Sequence, residues 1–351
     1  MESAIVTIFK PTIQYPIFIG RDLIGKIGDF IDVAKWSSIG VVTDKTIAAK
    51  WLAKFQTGLG RGIAKIIVSS GESAKTLESV SKIWQRLIRE RFDRHSLIIN
   101  LGGGAIGDVG GFSASAYMRG IAYANVPTTF LSQVDASIGG KTGIDFGGVK
   151  NAIGAICQPI AVVADVETLA TLPNREFIAG FAEAIKHGLI ADEKYLAFVT
   201  SKKPREFSDD ELISVIKGSS EIKRRIVESD ERERGARRLL NFGHTIGHAI
   251  EALSLETNTP LLHGEAVAIG MAEEARISER AGLLQKGGAT QVVQILKDAG
   301  LPTVLPLFPR ERIMEKIESD KKSAHGKVCW TLLKRIGEAV AGVEVEESLL
   351  Q

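Results

Sequence analysis

Apolar and polar positions follow two different periods along this chain, and the change comes near its midpoint. In the first half, short apolar runs are separated by stretches of helical period. Ser38–Val42 reads as a buried strand closing at Thr43-Asp44, with a helix over Thr46–Phe55. Lys65–Val68 is a second strand and Leu77–Arg91 a long amphipathic helix. Ser96–Leu101 is a third strand, running into Gly102-Gly103-Gly104, and Ala122–Val126 and Ile160–Val163 are shorter ones. Apolar strands alternating with helices imply a mainly parallel sheet covered on both faces. From Asn174 onward the helical period dominates: Glu176–Ile190, Asp209–Arg232, Asn241–Leu253, Gly264–Ala281 and Ala289–Ala299. Val328–Val345 returns to short β-like runs around Gly337. The expected organisation is an α/β domain over residues 1–170 and a mostly α-helical domain over 171–351. The join falls near Leu172-Pro173, and a cleft between two such units is where a ligand normally sits.

Composition narrows the class. The 351 residues are 44% hydrophobic and 25% charged, and 44 Lys and Arg against 42 Asp and Glu leave a net charge of +2. Disordered, collagen-like and disulfide-framework proteins are excluded by this profile. Arg86–Arg94 and Glu228–Arg238 look basic but interleave acids, so they read as solvated helix faces and no nucleic-acid partner is expected. Cys157 and Cys329 are far apart in sequence, which fits a reducing compartment. Met1-Glu2-Ser3 opens no signal peptide, and no apolar run approaches the ~18 residues of a membrane span. The expectation is a soluble cytoplasmic chain with no membrane partner.

Two clusters carry candidate chemistry. Of the 36 glycines, 12 fall between Leu101 and Lys150, and Gly102, Gly104 and Gly107 fit G-x-G-x-x-G directly after a strand. Such glycines let backbone N–H groups approach a pyrophosphate at a helix N-terminus, and Asp44 closes an earlier strand where a ribose contact could form. Gly140-Lys141-Thr142 resembles the end of a P-loop, but Asp135 occupies the position of that motif's first glycine, which disfavours a triphosphatase. What remains is a surface bearing Asp135, Lys141, Lys150 and Asn151, suited to an anionic hydroxylated molecule. On spacing alone it could equally be a pair of connecting loops.

The second cluster holds three of the six histidines. His244 and His248 lie one helical turn apart, with His263 at the mouth of the next helix. This is a credible divalent-metal constellation, for which Glu183, Glu251 and Glu265 are candidate carboxylates. Thr245 stands where a metalloprotease needs its general base, so that class is disfavoured. Lys186, three residues after Glu183, is either the partner of that acid or a second active-site group.

Taken together, the motifs are similar to those of the 3-dehydroquinate synthase family over nearly the whole chain. They include Tyr15–Gly20, Gly71-Glu72 with Lys75, Gly102–Asp108, Arg119-Gly120, Val126–Thr129, Gln133–Asp135, Gly139–Gly143 and Lys150-Asn151. They continue with Ala182-Glu183 and Lys186, Arg237, Leu239–His248, Leu262–Val267, Asp320–Lys322 and Lys334–Gly337. The resemblance implies a Rossmann-like α/β N-terminal domain that binds NAD, a helical domain holding zinc or cobalt, and usually a homodimer. It implies conversion of a phosphorylated sugar acid, 3-deoxy-D-arabino-heptulosonate 7-phosphate, to 3-dehydroquinate and phosphate within the shikimate pathway. Oxidation by NAD, phosphate elimination, re-reduction, ring opening and aldol closure follow one another without net redox.

Carried over by position, Glu183, His244 and His263 would hold the metal, with His248 at the substrate phosphate. Asp44, Glu72, Lys75, Gly104, Asp108, Thr128, Thr129 and Lys150 would contact the dinucleotide. Asp135, Lys141, Asn151, Lys186, Lys223, Arg237, Asn241 and one lysine of the 321–322 pair, Lys322 being chosen, would line the substrate site. Arg119 would reach the phosphate of the neighbouring subunit. His187 departs from the family by standing where Tyr is common, and the His244–His263 spacing is longer than in some relatives. Related cyclases of the 2-epi-5-epi-valiolone and 2-deoxy-scyllo-inosose type are the runner-up reading, since Arg237, Lys223 and Asn241 favour a substrate with a carboxylate. A metal-dependent polyol dehydrogenase or a non-enzymatic binder of metal and nucleotide follows behind.

Overall fold

The computed structural model describes residues 14–233, 235–321, 328–346 and 349. Within them the first half supplies strands β1 (Ile17–Gly20), β2 (Ile39–Asp44), β3 (Ala64–Val68), β4 (Leu97–Gly102), β5 (Ala122–Pro127), β6 (Lys141–Phe146), β7 (Val149–Ile156) and β8 (Val162–Asp165). All but β6 and β7 form one parallel sheet in the order β1-β8-β5-β4-β2-β3. Helices α1 (Ile27–Phe30), α2 (Lys45–Ile47), α3 (Ala53–Leu59), α4 (Leu77–Arg89) and α5 (Gly104–Ala116) lie between these strands in sequence.

The apolar runs of β2 and β4 are continuous because both sheet faces are covered, and every residue of these strands is buried. Val41, Ile99 and Leu101 pack with Trp51 and Phe55, whereas Val42 and Ile98 pack with Ile83, Leu87 and Val109. Alternate residues thus serve opposite helix layers, each burial contributing roughly 1.5–3 kcal/mol.

The second half is helical: α6 (Asn174–Ala191), α7 (Glu193–Val199), α8 (Asp209–Ser229), α9 (His244–Ser254), α10 (His263–Arg280), α11 (Gly288–Asp298) and α12 (Arg310–Lys321). A hairpin of β9 (Cys329–Arg335) and β10 (Glu338–Glu344) follows. Phe130, just after β5, stacks on Phe181 of α6 with centroids 4.4 Å apart and also packs on Phe177, so the sheet-bearing half is tied to α6 by aromatic contact. No helix among the described residues is long and apolar enough to cross a membrane.

Several elements differ from their sequence-based expectation. Residues 141–156 form an antiparallel hairpin, not connecting loops. Helix α9, expected from Asn241, begins at His244 because Gly243 takes a left-handed φ of 81°. The helix expected to reach Arg232 stops at Ser229, where Asp230 turns to φ −157°. The Asp230 carboxylate then accepts from the backbone N–H groups of Gly235 and Arg237 at 2.7 and 3.0 Å. The 228–238 run is therefore not a solvated helix face: Arg237 within it is fully buried.

Candidate active site

Glycine lets three helices approach closely enough to build the centre of the site. A Cβ on Gly264 would lie 1.9 Å from the Ala179 carbonyl of α6, and one on Gly270 would lie 1.9 Å from the Gly243 carbonyl before α9. With only hydrogen there, α10 packs against both neighbours, and each contributes one side chain to a common point. Glu183 comes from α6, His244 from the first turn of α9 and His263 from the first turn of α10. Glu183 Oε1 lies 3.5 Å from His244 Nε2 and 3.6 Å from His263 Nε2, and one ligand atom from each residue falls within 4.8 Å of the others. His248, one turn after His244, has its ring 5.1 Å from that of His244 and 5.9 Å from that of His263 by centroid.

The outer nitrogens are also held. His244 Nδ1 lies 3.2 Å from the Phe242 carbonyl, which can only accept, so the bonded neutral tautomer carries its proton on Nδ1 and turns the Nε2 lone pair inward. His263 Nδ1 meets Glu251 Oε2 at 3.2 Å. Imidazoles fixed at one nitrogen by a carbonyl or carboxylate, with the other converging on a buried acid, suit a divalent cation of zinc type. Both Glu183 oxygens are buried without a well-aligned hydrogen bond, a further sign that the donor set fits a metal. The alternative group of Asp135, Glu183 and His187 fits less well, because Lys223 already engages Asp135 and His187 Nδ1 is bonded to Ser219 at 2.6 Å. The α9 N-terminus is set by Glu274 of α10, whose buried carboxylate accepts from Gly243 N at 2.6 Å, Thr245 N at 3.0 Å and Ile246 N at 3.2 Å.

Burial and opposite charges act together on the ionisable groups of this centre. Burial opposes ionisation of Glu183, but the Lys186 ammonium in contact with it, then His244 and His263, hold its carboxyl well below the usual range. Burial and then the Lys186 charge push His244 well below the ordinary imidazole range. Burial opposes protonation of His263 as well, but Glu183 and Glu251 outweigh it and raise that imidazole to about 10. Lys223 continues the network, its Nζ reaching Asp135 Oδ1 at 2.7 Å and the Asp135 carbonyl at 2.8 Å.

A second polar group lies at the start of α5. Gly103 caps this helix, and Thr128 N donates to the Gly102 carbonyl at 3.0 Å, bringing Thr128 and Thr129 beside the helix N-terminus. Thr128 Oγ1 is buried without a hydrogen-bond partner. The glycines here also serve packing, since a Cβ on Gly110 would come 1.8 Å from Asn100. Buried Lys75 holds Asp108 of α5 at 2.9 Å, contacts Asn151 of the hairpin and lies 3.8 Å from Glu72. Lys150, beside Asn151, reaches Glu251 Oε1 at 2.6 Å. Asp44 caps its own helix, accepting from Thr46 N at 2.7 Å and Ile47 N at 3.1 Å.

A third group surrounds Glu233, which sequence reasoning passed over. Its carboxylate is in contact with Lys141 and accepts from Asn241 Nδ2 at 2.9 Å, on a backbone with φ 58°. Acids interleaved with arginines gave no signal beyond a solvated face. The Arg237 guanidinium donates to the carbonyls of Glu231 at 2.6 Å and Gly139 at 3.0 Å, bracing this loop against the entrance to β6. Glu265, one of the candidate acids, instead caps Leu262 N at 2.8 Å and pairs with Arg175 through both oxygens at 2.7 Å. Arg119 is exposed at the end of a tight turn, with φ 68°. Lys322 lies outside the described residues.

Comparison with known proteins bears directly on this arrangement. Residues 65–179 match the family described as 3-dehydroquinate synthase N-terminal, and residues 180–323 match 3-dehydroquinate synthase C-terminal. A 3-dehydroquinate synthase of Ruminiclostridium cellulolyticum is 42% identical over 332 residues, covering 93% of this chain and 91% of the relative. The chain belongs to the 3-dehydroquinate synthase family. Membership makes it an enzyme of phosphate elimination and ring closure. Among solved structures, a 2-deoxy-scyllo-inosose synthase in complex with carbaglucose-6-phosphate, NAD+ and Co2+ is similar at a TM-score of 0.86 and 26% identity, covering 95% of this chain and 94% of that one. A 2-epi-5-epi-valiolone synthase from Streptomyces hygroscopicus with NAD+ and Zn2+ is similar at 0.88 and 25%, covering 99% and 97%. The α/β sheet with a helical portion is thus the fold shared with these cyclases.

Proposed function

We propose that this chain converts 3-deoxy-D-arabino-heptulosonate 7-phosphate to 3-dehydroquinate and phosphate, using NAD and a Zn2+ or Co2+ ion. The observation that carries the reading is the convergence of Glu183, His244 and His263 beside a run of buried ammonium groups on Lys186 and Lys223. Bound, the metal supplies Lewis acidity and the dinucleotide a transient store for one hydride. The protein does the remaining work by placement and charge. Lys186 and Lys223 present cations where anions must be held, and their acidic partners keep them oriented in a largely buried setting. Lys141 and Asn241 converge on the Glu233 carboxylate, and a substrate carboxylate that displaced Glu233 there would meet the same donors, which a neutral sugar phosphate would leave unused. His248, close to but outside the metal trio, is assigned to the substrate phosphate, while Asn151 lines the substrate site and Arg237, with Lys223 and Asn241, is assigned to the substrate carboxylate. The α5 N-terminus, Thr128, Thr129, Lys75 and Lys150 are assigned to NAD, with Asp44, Glu72 and Asp108 around them.

A homodimer acting in the cytoplasm completes the proposal. Phe146, Val149, Ile153 and Ile156 stand exposed on the β6–β7 hairpin, and exposed Met118 adjoins Arg119, which supports cover by a second copy that would receive Arg119. The test is a choice of substrates offered to the NAD- and metal-loaded protein. Cyclisation of the heptulosonate phosphate is expected. Cyclisation of a seven-carbon neutral sugar phosphate, with the acid left untouched, would transfer the assignment to the related cyclases.

A further inference from the structure

Glu251 touches both sides of the site without belonging to either ligand set. It lies two turns after His244 on α9, and its side chain is 6% exposed. His263 is gripped at both nitrogens: Nε2 faces Glu183 Oε1 at 3.6 Å and Nδ1 faces Glu251 Oε2 at 3.2 Å. The other Glu251 oxygen, Oε1, accepts from Lys150 Nζ at 2.6 Å. Lys150 leads back to the helix start through its neighbour Asn151, which contacts Lys75, which in turn holds Asp108 of α5 at 2.9 Å. One buried carboxylate therefore joins the imidazole of the metal trio to the hairpin that flanks the α5 N-terminus.

We propose that Glu251 is a positioning residue that couples the two sites, so that metal and dinucleotide each strengthen the binding of the other. The inference rests on the assignment of the metal and NAD sites made above. Its physical basis is that the same carboxylate fixes His263 and Lys150. A cation on Nε2 polarises the ring, strengthens the Nδ1–H bond to Oε2 and so fixes the carboxylate on which Lys150 is seated. A dinucleotide that orders Lys150 fixes the same carboxylate from the other side. Whichever ligand binds second finds its residue already placed, and the gain must be equal in both directions. A buried acid that only packs would leave the two affinities independent.

The test measures NAD dissociation constants for the full chain, freed of metal with a chelator and then loaded with Zn2+, together with the Zn2+ dissociation constant without NAD. The wild type is expected to bind NAD at least about fivefold more tightly with Zn2+ present. In Glu251→Gln that ratio should fall to within about twofold of one, and Zn2+ affinity without NAD should drop about 10- to 100-fold. Lys150→Met, at a partly exposed hairpin position, serves should Glu251→Gln fail to fold. It should abolish the ratio while leaving Zn2+ affinity without NAD within about threefold of wild type. A ratio preserved in the variants, or a wild-type ratio of one with both ligands bound, would overturn the bridge alone. A wild type that binds neither NAD nor Zn2+ would overturn the site assignment and the bridge together.

Discussion

Replacing Gly264 by Ala tests whether close helix packing sets the metal trio. The new Cβ would lie 1.9 Å from the Ala179 carbonyl oxygen, whereas contacts under 3.0 Å are essentially never observed for such a carbon. The helices must therefore part locally by at least 1.1 Å, the difference between those two distances. The obstacle is backbone, so no side-chain rotation relieves it, and the adjacent His263 moves with α10 away from Glu183. Overpacking of this kind costs about 1–3 kcal/mol of stability. The functional effect is larger, because metal–ligand distances tolerate only about 0.2 Å. Misplacement by about 1 Å costs on the order of 10²-fold in rate. The assay is Zn2+ titration of the metal-free protein beside phosphate release by the loaded one. Metal affinity at least about tenfold weaker and a kcat/KM loss near 10²-fold are expected. Wild-type metal affinity in a folded Gly264→Ala protein would refute the idea that this glycine positions His263.

Glu274→Gln removes the charge that serves the N–H groups of Gly243, Thr245 and Ile246 at the start of α9. It should cost about 2–4 kcal/mol in urea unfolding of metal-free protein, and an unchanged midpoint would dismiss the cap. Burial, only partly offset by Asp135, pulls His187 below the usual imidazole range, so the unfolded chain takes up that proton first as pH falls. The neutral ring thus stabilises the fold above about pH 6.5, and that stability is lost as pH falls toward the lower folded value. His187→Asn should flatten the acid side of the stability curve by up to about 1.4 kcal/mol per pH unit; curves that stay parallel would contradict this. Lys141→Ala should lower kcat/KM for the heptulosonate phosphate by about 10- to 100-fold with NAD affinity unchanged, and equal losses in both would relocate Lys141 to the dinucleotide side.

Much of the sheet was legible because β2 and β4 are covered on both faces and so read as unbroken apolar runs. The hairpin of β6 and β7 escaped because it packs few side chains on either face. Val149, Ile153 and Ile156 are exposed, and glycines break any alternation. At the metal trio, spacing brought out His244 and His248 as a pair but could not choose between their partners. Glu183 arrives from a helix sixty-one positions before His244 in the chain, and the resemblance to a family supplied that ligand. Residues whose roles depend on distant backbone left almost no local trace. Glu274 sits in Met271-Ala272-Glu273-Glu274-Ala275, where an acid within a small, apolar stripe was the one available signal of a buried partner. Glu233 depends on a left-handed backbone and on Lys141 ninety-two residues away, neither of which periodicity can report.

The central claim is that NAD is used and restored within each turnover. Its most direct test incubates the metal-loaded protein with NAD and the heptulosonate phosphate while phosphate and the nicotinamide absorbance are followed together. The expected result is many equivalents of phosphate per enzyme, with reduced NAD never exceeding the enzyme concentration. Sustained, stoichiometric accumulation of NADH would contradict it and make the chain a dehydrogenase.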